Sequence, residues 1–250
     1  MTLLNLLLLI GFAVVAFLYA GVGHGGASGY IALMALAGLS PATIKPVALI
    51  LNIVVASLGC WNFLRAGHLP WRTIWPVYLL AIPGSFLGGW LNLPGLWFRQ
   101  LVGGVLIITA FRLGLTSRDP DTLSRPNAPL LALSGGAIGF LAGLTGTGGG
   151  VLLTPFLLLC NWCTTREAAA TSVLFILFNS ISGLAGLVLT RPTALHAVPS
   201  ASLLGWLVAV LLGGALGSRL GSRHWPVALI RRLLALVLLL AAFKLLGLQG

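Results

Sequence analysis

Charged side chains are scarce in this chain, and acidic ones are the scarcest. Charged residues make up 7% of the 250 positions, and Asp and Glu together number 3. A soluble domain carries about 25% charged residues, so these are too few to cover an aqueous surface. The composition therefore excludes an ordinary soluble domain.

The same scarcity limits the chemistry. All three carboxylates, Asp119, Asp121 and Glu167, lie in or beside connections between apolar segments. No carboxylate is available inside a membrane as a proton relay or a charged Na⁺ ligand, which disfavours carboxylate-coupled antiport. The four histidines do not cluster, and the three cysteines form no disulfide framework. We therefore predict no catalytic residues, no metal site and no cofactor.

Apolar residues are abundant. They form 58% of the chain, and the mean hydropathy is +1.07. At about 20 residues per bilayer crossing, the length accommodates about eight to ten apolar segments. We predict an all-α polytopic membrane protein whose surroundings are the lipid bilayer. The net charge of +11 comes from basic residues scattered singly at segment ends, so a nucleic-acid partner is not expected.

The chain contains an internal duplication. Five apolar runs in residues 1–116 are followed by five in 129–250, with a polar linker at 117–128. We predict two homologous transmembrane repeats of about four to five hydrophobic helical segments each. Corresponding positions carry the same glycines: Gly23, Gly25 and Gly26 match Gly146, Gly148 and Gly149.

The second apolar run of each half, 27–39 and 149–160, is too short to cross a bilayer. Thirteen residues of helix rise about 20 Å, against a hydrocarbon core of about 30 Å. Each glycine tract with its neighbouring runs therefore predicts a helical hairpin broken at the glycines, with its tip deep in the protein. Irregular backbone at that depth requires surrounding protein or a water-filled cavity.

Loop charges favour inverted repeats. If each half has a re-entrant hairpin and three crossings, one membrane side collects ten basic residues, and four remain on the other: Lys45, Arg99, Arg191 and Lys244. If each half has four crossings, the division is seven to seven. The biased division places the linker in the cytoplasm and both termini outside, in the cytoplasmic (inner) membrane. Arg231 is interpreted as one of the topology anchors, and Lys45 as an interfacial lysine or an attractant for substrate.

Two tracts carry a family resemblance, GVGHGGASGY at 21–30 and GLTGTGGGVLLTP at 143–155, the second followed by Ala-Thr-Ser at 170–172. Over nearly the whole chain the sequence resembles the sulfite exporter TauE/SafE family. The first half departs from the pattern, with His24 at the Thr147 position and Ala27 at the Gly150 position. The resemblance implies a transporter of small sulfur-containing anions, such as sulfite or organosulfonates.

Glycine breaks suit an anion because they free backbone N–H groups at the positive end of the following half-helix. In inverted repeats two such ends meet near the midplane. His24 can bind an anion when charged, pass a proton, or simply bond to backbone. The candidate substrate-binding residues are Gly23, His24, Gly25, Gly26, Asn52, Thr145, Gly146, Thr147, Gly148, Gly149, Gly150, Thr171, Ser172 and Asn179.

Other readings remain open at this point. The glycines can serve helix packing alone, and the hydroxyls can bond within their own helices. An importer or a channel for another small anion fits the same pattern, as does, in a different class, a membrane-embedded assembly subunit or an enzyme. The sequence leaves open the substrate, the direction, the coupling and whether copies form a homo-oligomer.

Overall fold

The computed structural model describes residues 3–91, 107, 110–111, 115, 119–195, 198 and 200–247. Every α-helix in these ranges was expected from an apolar run, except the four-residue helix Trp71–Ile74. The first half contains α1 (Leu3–Gly21), α2 (Ala27–Leu36), α3 (Pro41–Arg65), α4 (Trp71–Ile74) and α5 (Pro76–Trp90). The second half contains α6 (Ala128–Thr145), α7 (Gly150–Leu159), α8 (Thr165–Thr190), a 3₁₀ turn (Pro192–Leu195), α9 (Ser200–Arg223) and α10 (Val227–Gly247).

The all-helical, membrane-spanning character of the chain is confirmed. Among the described residues, four helical stretches are long and apolar enough to span a membrane: Ala42–Arg65, Ala128–Thr145, Thr165–Thr190 and Ser202–Arg223. The predicted fifth run of the first half, 99–116, lies almost entirely outside the described residues.

Local capping sets the helix starts. Ser40 accepts a hydrogen bond from the Thr43 N–H at 3.3 Å, and Pro41 occupies the first turn. α3 consequently begins five residues before the apolar run at 46–64. In α8 a capping box joins Thr164 and Glu167, which extends that helix beyond its apolar run as well.

Helices α2 and α7 are ten residues each, so at about 15 Å neither crosses the bilayer. α2 folds back antiparallel on α1. The Ser28 hydroxyl donates to the Tyr19 hydroxyl at 2.9 Å, and the space beside Gly29 is occupied by Val15. The hairpin tip is buried, since Val22 and His24 are 0% and 1% exposed.

The central pair is formed by α3 and α8. Asn52 lies against Ser180 and Gly59 against Val173, so the residue numbers run in opposite directions along the contact. These helices occupy the same place in the two halves of the sequence. Their antiparallel packing is the arrangement that an inverted repeat requires.

Two outer helix pairs pack through glycine stripes. A methyl group on Gly135, Gly139 or Gly143 of α6 would overlap the carbonyl oxygens of Val77, Ala81 and Ser85 of α5 respectively. On α9, methyl groups at Gly213, Gly217 and Gly221 would overlap the carbonyl oxygens of Ala13, Phe17 and Gly21 of α1. Small residues at fourfold spacing allow this backbone approach between membrane helices.

The two outer pairs make equivalent contacts. Gly84 lies against the Gly136 carbonyl, and Gly213 lies against the Ala13 carbonyl. In the alignment of the two halves Gly84 corresponds to Gly213, and Ala13 corresponds to Gly136. The fourth segment of each half therefore packs in the same way on the first segment of the other half.

We expect Gly139→Ala to destabilise the protein by roughly 1–3 kcal/mol, because the new methyl group has only the Ala81 backbone to displace. Gly205→Ala in α9 is the matched control, since its methyl group meets one flexible Leu9 atom at 3.3 Å. The measurement is thermal unfolding in detergent. A Gly139→Ala melting temperature equal to or above that of Gly205→Ala would contradict the packing argument.

Candidate functional site

The two glycine breaks turn the chain between the helices of each hairpin. Gly26 and Gly149, which precede α2 and α7, adopt φ angles of 97° and 81°. This left-handed backbone is accessible to glycine at little cost. The first N–H groups of each following helix have no acceptor within that helix.

Asn52 of α3 joins the two breaks. Its side-chain Oδ1 accepts from the Ala27 N–H at 3.0 Å, at the start of α2. Its Nδ2 donates to the Thr147 carbonyl at 3.3 Å, in the second break, and to the Ser180 hydroxyl of α8 at 3.4 Å. Asn52 is 0% exposed. One buried amide thus connects both breaks and both central helices.

The two breaks approach each other closely. A methyl group on Gly148 would lie 2.7 Å from Asn52 Nδ2 and 2.9 Å from Ile176 Cγ2, and one on Gly25 would also contact Asn52 and Ile176. A methyl group on Gly150 would lie 3.7 Å from Cδ2 of His24. The start of α7 therefore faces the first break, and the Ile176 side chain fills the space between them.

Among the described residues, buried polar atoms without a hydrogen-bond partner occur in the first hairpin and in the middle of α8. They are His24 Nε2, the Tyr30 hydroxyl and both amide atoms of Asn179. His24 Nδ1 lies 3.2 Å from the Val22 carbonyl, so that half of the ring is bonded to backbone. Unpaired buried polar groups are costly and uncommon, so these atoms indicate a place for a polar ligand or water.

The candidate hydroxyls divide into two groups. Thr147 lies at the meeting point, and its hydroxyl is 2.8 Å from that of Thr145, which also donates to the Leu141 carbonyl. Thr171 and Ser172 bond elsewhere. The Thr171 hydroxyl donates to the Glu167 carbonyl at 2.7 Å in its own helix, and Ser172 accepts from Thr154 at 2.6 Å.

Ile176 and Ser180 complete the meeting point, and Ile176 was not expected from the sequence. An isoleucine in an apolar helix carries no chemical signal, and only its position between the glycines reveals it. Ser180 forms a polar pair with its neighbour Asn179 within an apolar helix, and the sequence alone suggests both as neutral donors.

The structure gives Arg231, which was interpreted from the sequence as a topology anchor, a further role. Its side chain is buried, and Nη2 lies 3.1 Å from Asp119 Oδ1 in a salt bridge. Its Nε donates to the Thr165 hydroxyl at 2.9 Å. Asp119 also accepts from the Thr165 N–H at 2.9 Å, so the linker is tied to the N-terminal end of α8. Arg231 is thus part of a charged network.

Comparison with known proteins decides the family. The family described as sulfite exporter TauE/SafE matches residues 7–245. The chain belongs to this family. This transporter is also 39% identical over 244 residues to "Probable membrane transporter protein y4hK" of Sinorhizobium fredii, covering 96% of the chain and 97% of the relative. No solved structure matches. The protein is accordingly a multi-pass membrane transporter of a small molecule, and not an enzyme.

We expect Asn52→Ala to weaken both breaks of this transporter. The substitution leaves the Ala27 N–H without its acceptor, at a cost of roughly 1–3 kcal/mol. Hydrogen exchange followed by mass spectrometry should show faster exchange in segments 23–27 and 146–150.

Asn62→Ala is the matched control, because it removes a 2.7 Å bond to Ser218 from the same helix, away from the breaks. Unchanged exchange at both breaks in Asn52→Ala would show that the amide does not hold them together.

Proposed function

We propose that this transporter exports a small sulfur-containing anion, sulfite or an organosulfonate, across the cytoplasmic membrane, and that the two glycine breaks form one central binding site. The observation that carries the proposal is the bridge made by Asn52 between Ala27, Thr147 and Ser180. It holds two helix starts from opposite halves of the chain at one place.

Electrostatics favours an anion at this place. The helix starts at Ala27 and Gly150 direct their partial positive charge toward the meeting point, where the Ala27 N–H is bonded to Asn52. All of the chain's acidic side chains lie in the linker or at the start of α8, away from it. A carboxylate near the site would repel the substrate, and none is there.

The unpaired polar atoms supply further contacts. The Tyr30 hydroxyl and the Asn179 Nδ2 can donate to an oxyanion. His24 donates from Nδ1 to the Val22 carbonyl, so its Nε2 can donate to an anion only when the ring is protonated. Neutral donors bind an anion without the deep trap that a buried arginine would create, so release stays fast. Ile176 occupies the space between the breaks in this conformation, so its side chain would move when substrate enters.

The direction and coupling follow from charge. A negative-inside membrane potential drives an anion outward by about 2.3 kcal/mol per charge per 100 mV. No intramembrane carboxylate is present for ion coupling. Export therefore runs down the potential and the concentration gradient of the anion, or with a proton carried by His24 or by the substrate.

We further assign the two halves as inverted repeats, with the linker in the cytoplasm. The antiparallel contact of α3 with α8 and the equivalent glycine contacts of the outer pairs support this assignment. So does the ten to four division of basic residues.

Gly148→Ala should lower transport at least about tenfold while membrane insertion is retained, because the methyl group would enter the space held by Asn52 and Ile176. Gly38→Ala is the matched control. Gly38 has nearly the same φ, 76° against 75°, but has no atom within 4 Å of the added methyl position. Flux per folded protein is the measurement. Equal flux in the two variants would exclude the break as the site.

Uptake of radiolabelled sulfite by liposomes containing the purified protein tests the substrate. We expect saturable flux that an imposed potential accelerates or slows according to its sign, with sulfate, taurine and sulfoacetate as competitors. Liposomes with Gly148→Ala provide the control for leakage. If folded protein carries a sulfur-free anion but neither sulfite nor an organosulfonate, the assignment to sulfur anions would be overturned.

A further inference from the structure

A cavity of about 340 Å³ opens between α3, α5 and the turn after α8. Two basic side chains, Lys45 and Arg191, line it together with Pro46, Trp90 and Thr193. At roughly 30 Å³ per water molecule, the space accommodates a small solvated ion. Because α3 and α8 are antiparallel, the start of α3 and the end of α8 lie at the same end of the central pair.

The positive charge of this cavity has no acidic counterpart nearby. Asp119 and Glu167 bond near the N-terminal end of α8, and Asp121 lies in the adjoining linker. The 24 residues from Glu167 to Arg191 correspond to about 36 Å of helix, several times the Debye length of about 8 Å at physiological salt. Two uncompensated cations on one cavity raise the local concentration of small anions.

The cavity adjoins the second glycine break. A methyl group on Gly146 would lie 3.2 Å from Cγ of Lys45. The next residue, Thr147, accepts from Asn52. Lys45 therefore lies between the cavity and the meeting point of the two breaks, with its side chain half-buried.

The position that corresponds to Lys45 in the second half of the chain has no basic side chain. By the correspondence that relates Gly23 to Gly146, Lys45 corresponds to Ala168. There, a methyl group on Gly23 would lie 2.5 Å from the Ala169 backbone, and one on Gly21 would overlap the Trp225 ring. The fold thus does not require a cation at this position, and the glycines here are in tight contact with α8 and Trp225.

We propose that the Lys45 and Arg191 cavity is a second anion-binding site, a port that holds a small oxyanion on the membrane face opposite the linker. The anion passes from this port beside Lys45 to the central site, or leaves through it. The role as a port rests on the proposed function, whereas anion binding in the cavity is testable without transport.

The test places a reporter thiol in the cavity. Thr193→Cys lines the cavity, and Leu195→Cys in the same 3₁₀ turn is the matched control outside its lining. Both positions are exposed. In nanodiscs, each variant is treated with the anionic 2-sulfonatoethyl and the cationic trimethylammonioethyl methanethiosulfonate reagents, and labelling of the wild-type cysteines is subtracted.

For each variant, the measured quantity is the rate of modification by the anionic reagent divided by the rate by the cationic reagent. We expect this ratio to be about tenfold higher for Thr193→Cys than for Leu195→Cys. The preference should disappear in Lys45→Gln/Arg191→Gln and persist in Arg223→Gln, an exposed arginine at the other end of the bundle. Millimolar methanesulfonate, which does not react with thiosulfonates, should slow the anionic reagent at Thr193→Cys alone. Ala42→Cys, which also lines the cavity, repeats the measurement independently.

Equal reagent ratios at the cavity and control positions would overturn the proposal. In liposomes, Lys45→Gln/Arg191→Gln should raise the half-saturating anion concentration about threefold to tenfold, with the maximal rate little changed. Selective labelling without flux of sulfite or an organosulfonate would retain the anion site and reject the proposed function. Sulfite flux without selective labelling would retain the function and reject the port.

Discussion

The close approach of helix backbones at the glycine stripes is the constraint on which the rest of this structure depends. α6 can lie against the α5 carbonyls, and α9 against the α1 carbonyls, because Gly139 and Gly217 have no side chains there. Helix association in a bilayer lacks the hydrophobic driving force available in water, so close van der Waals packing must supply it. These outer pairs enclose α3 and α8 and keep the two hairpin tips within reach of each other.

At the centre of the molecule some buried polar groups are hydrogen-bonded and others have no partner. Asn52 satisfies groups from both breaks, while His24 Nε2 and the Asn179 amide have no partner. A site built only for stability would pair these atoms or replace them with apolar groups. The unpaired atoms support the proposal of a ligand-binding centre at this place.

Charge separates the two ends of the bundle. At one end Asp119, Thr165 and Arg231 form a neutralised network that ties the linker to α8. At the other end Lys45 and Arg191 face a cavity without an acidic partner. The two ends of the bundle therefore differ in net charge, although the helices at each end occupy corresponding places in the two halves of the sequence.

The sequence by itself determined the bilayer surroundings, the helical class, the short hairpin helices and the location of the breaks. These features depend on the hydropathy of neighbouring residues and on the local effect of glycine on the backbone. The family followed from the same tracts. Only the tertiary structure decided that Asn52 bridges the breaks, that Ile176 lies between them, and that Arg231 pairs with Asp119. These contacts join residues at least 25 positions apart in the sequence, and their partners depend on how the helices pack. Hydropathy records that a segment is apolar, but not which neighbour its rare polar side chain will meet.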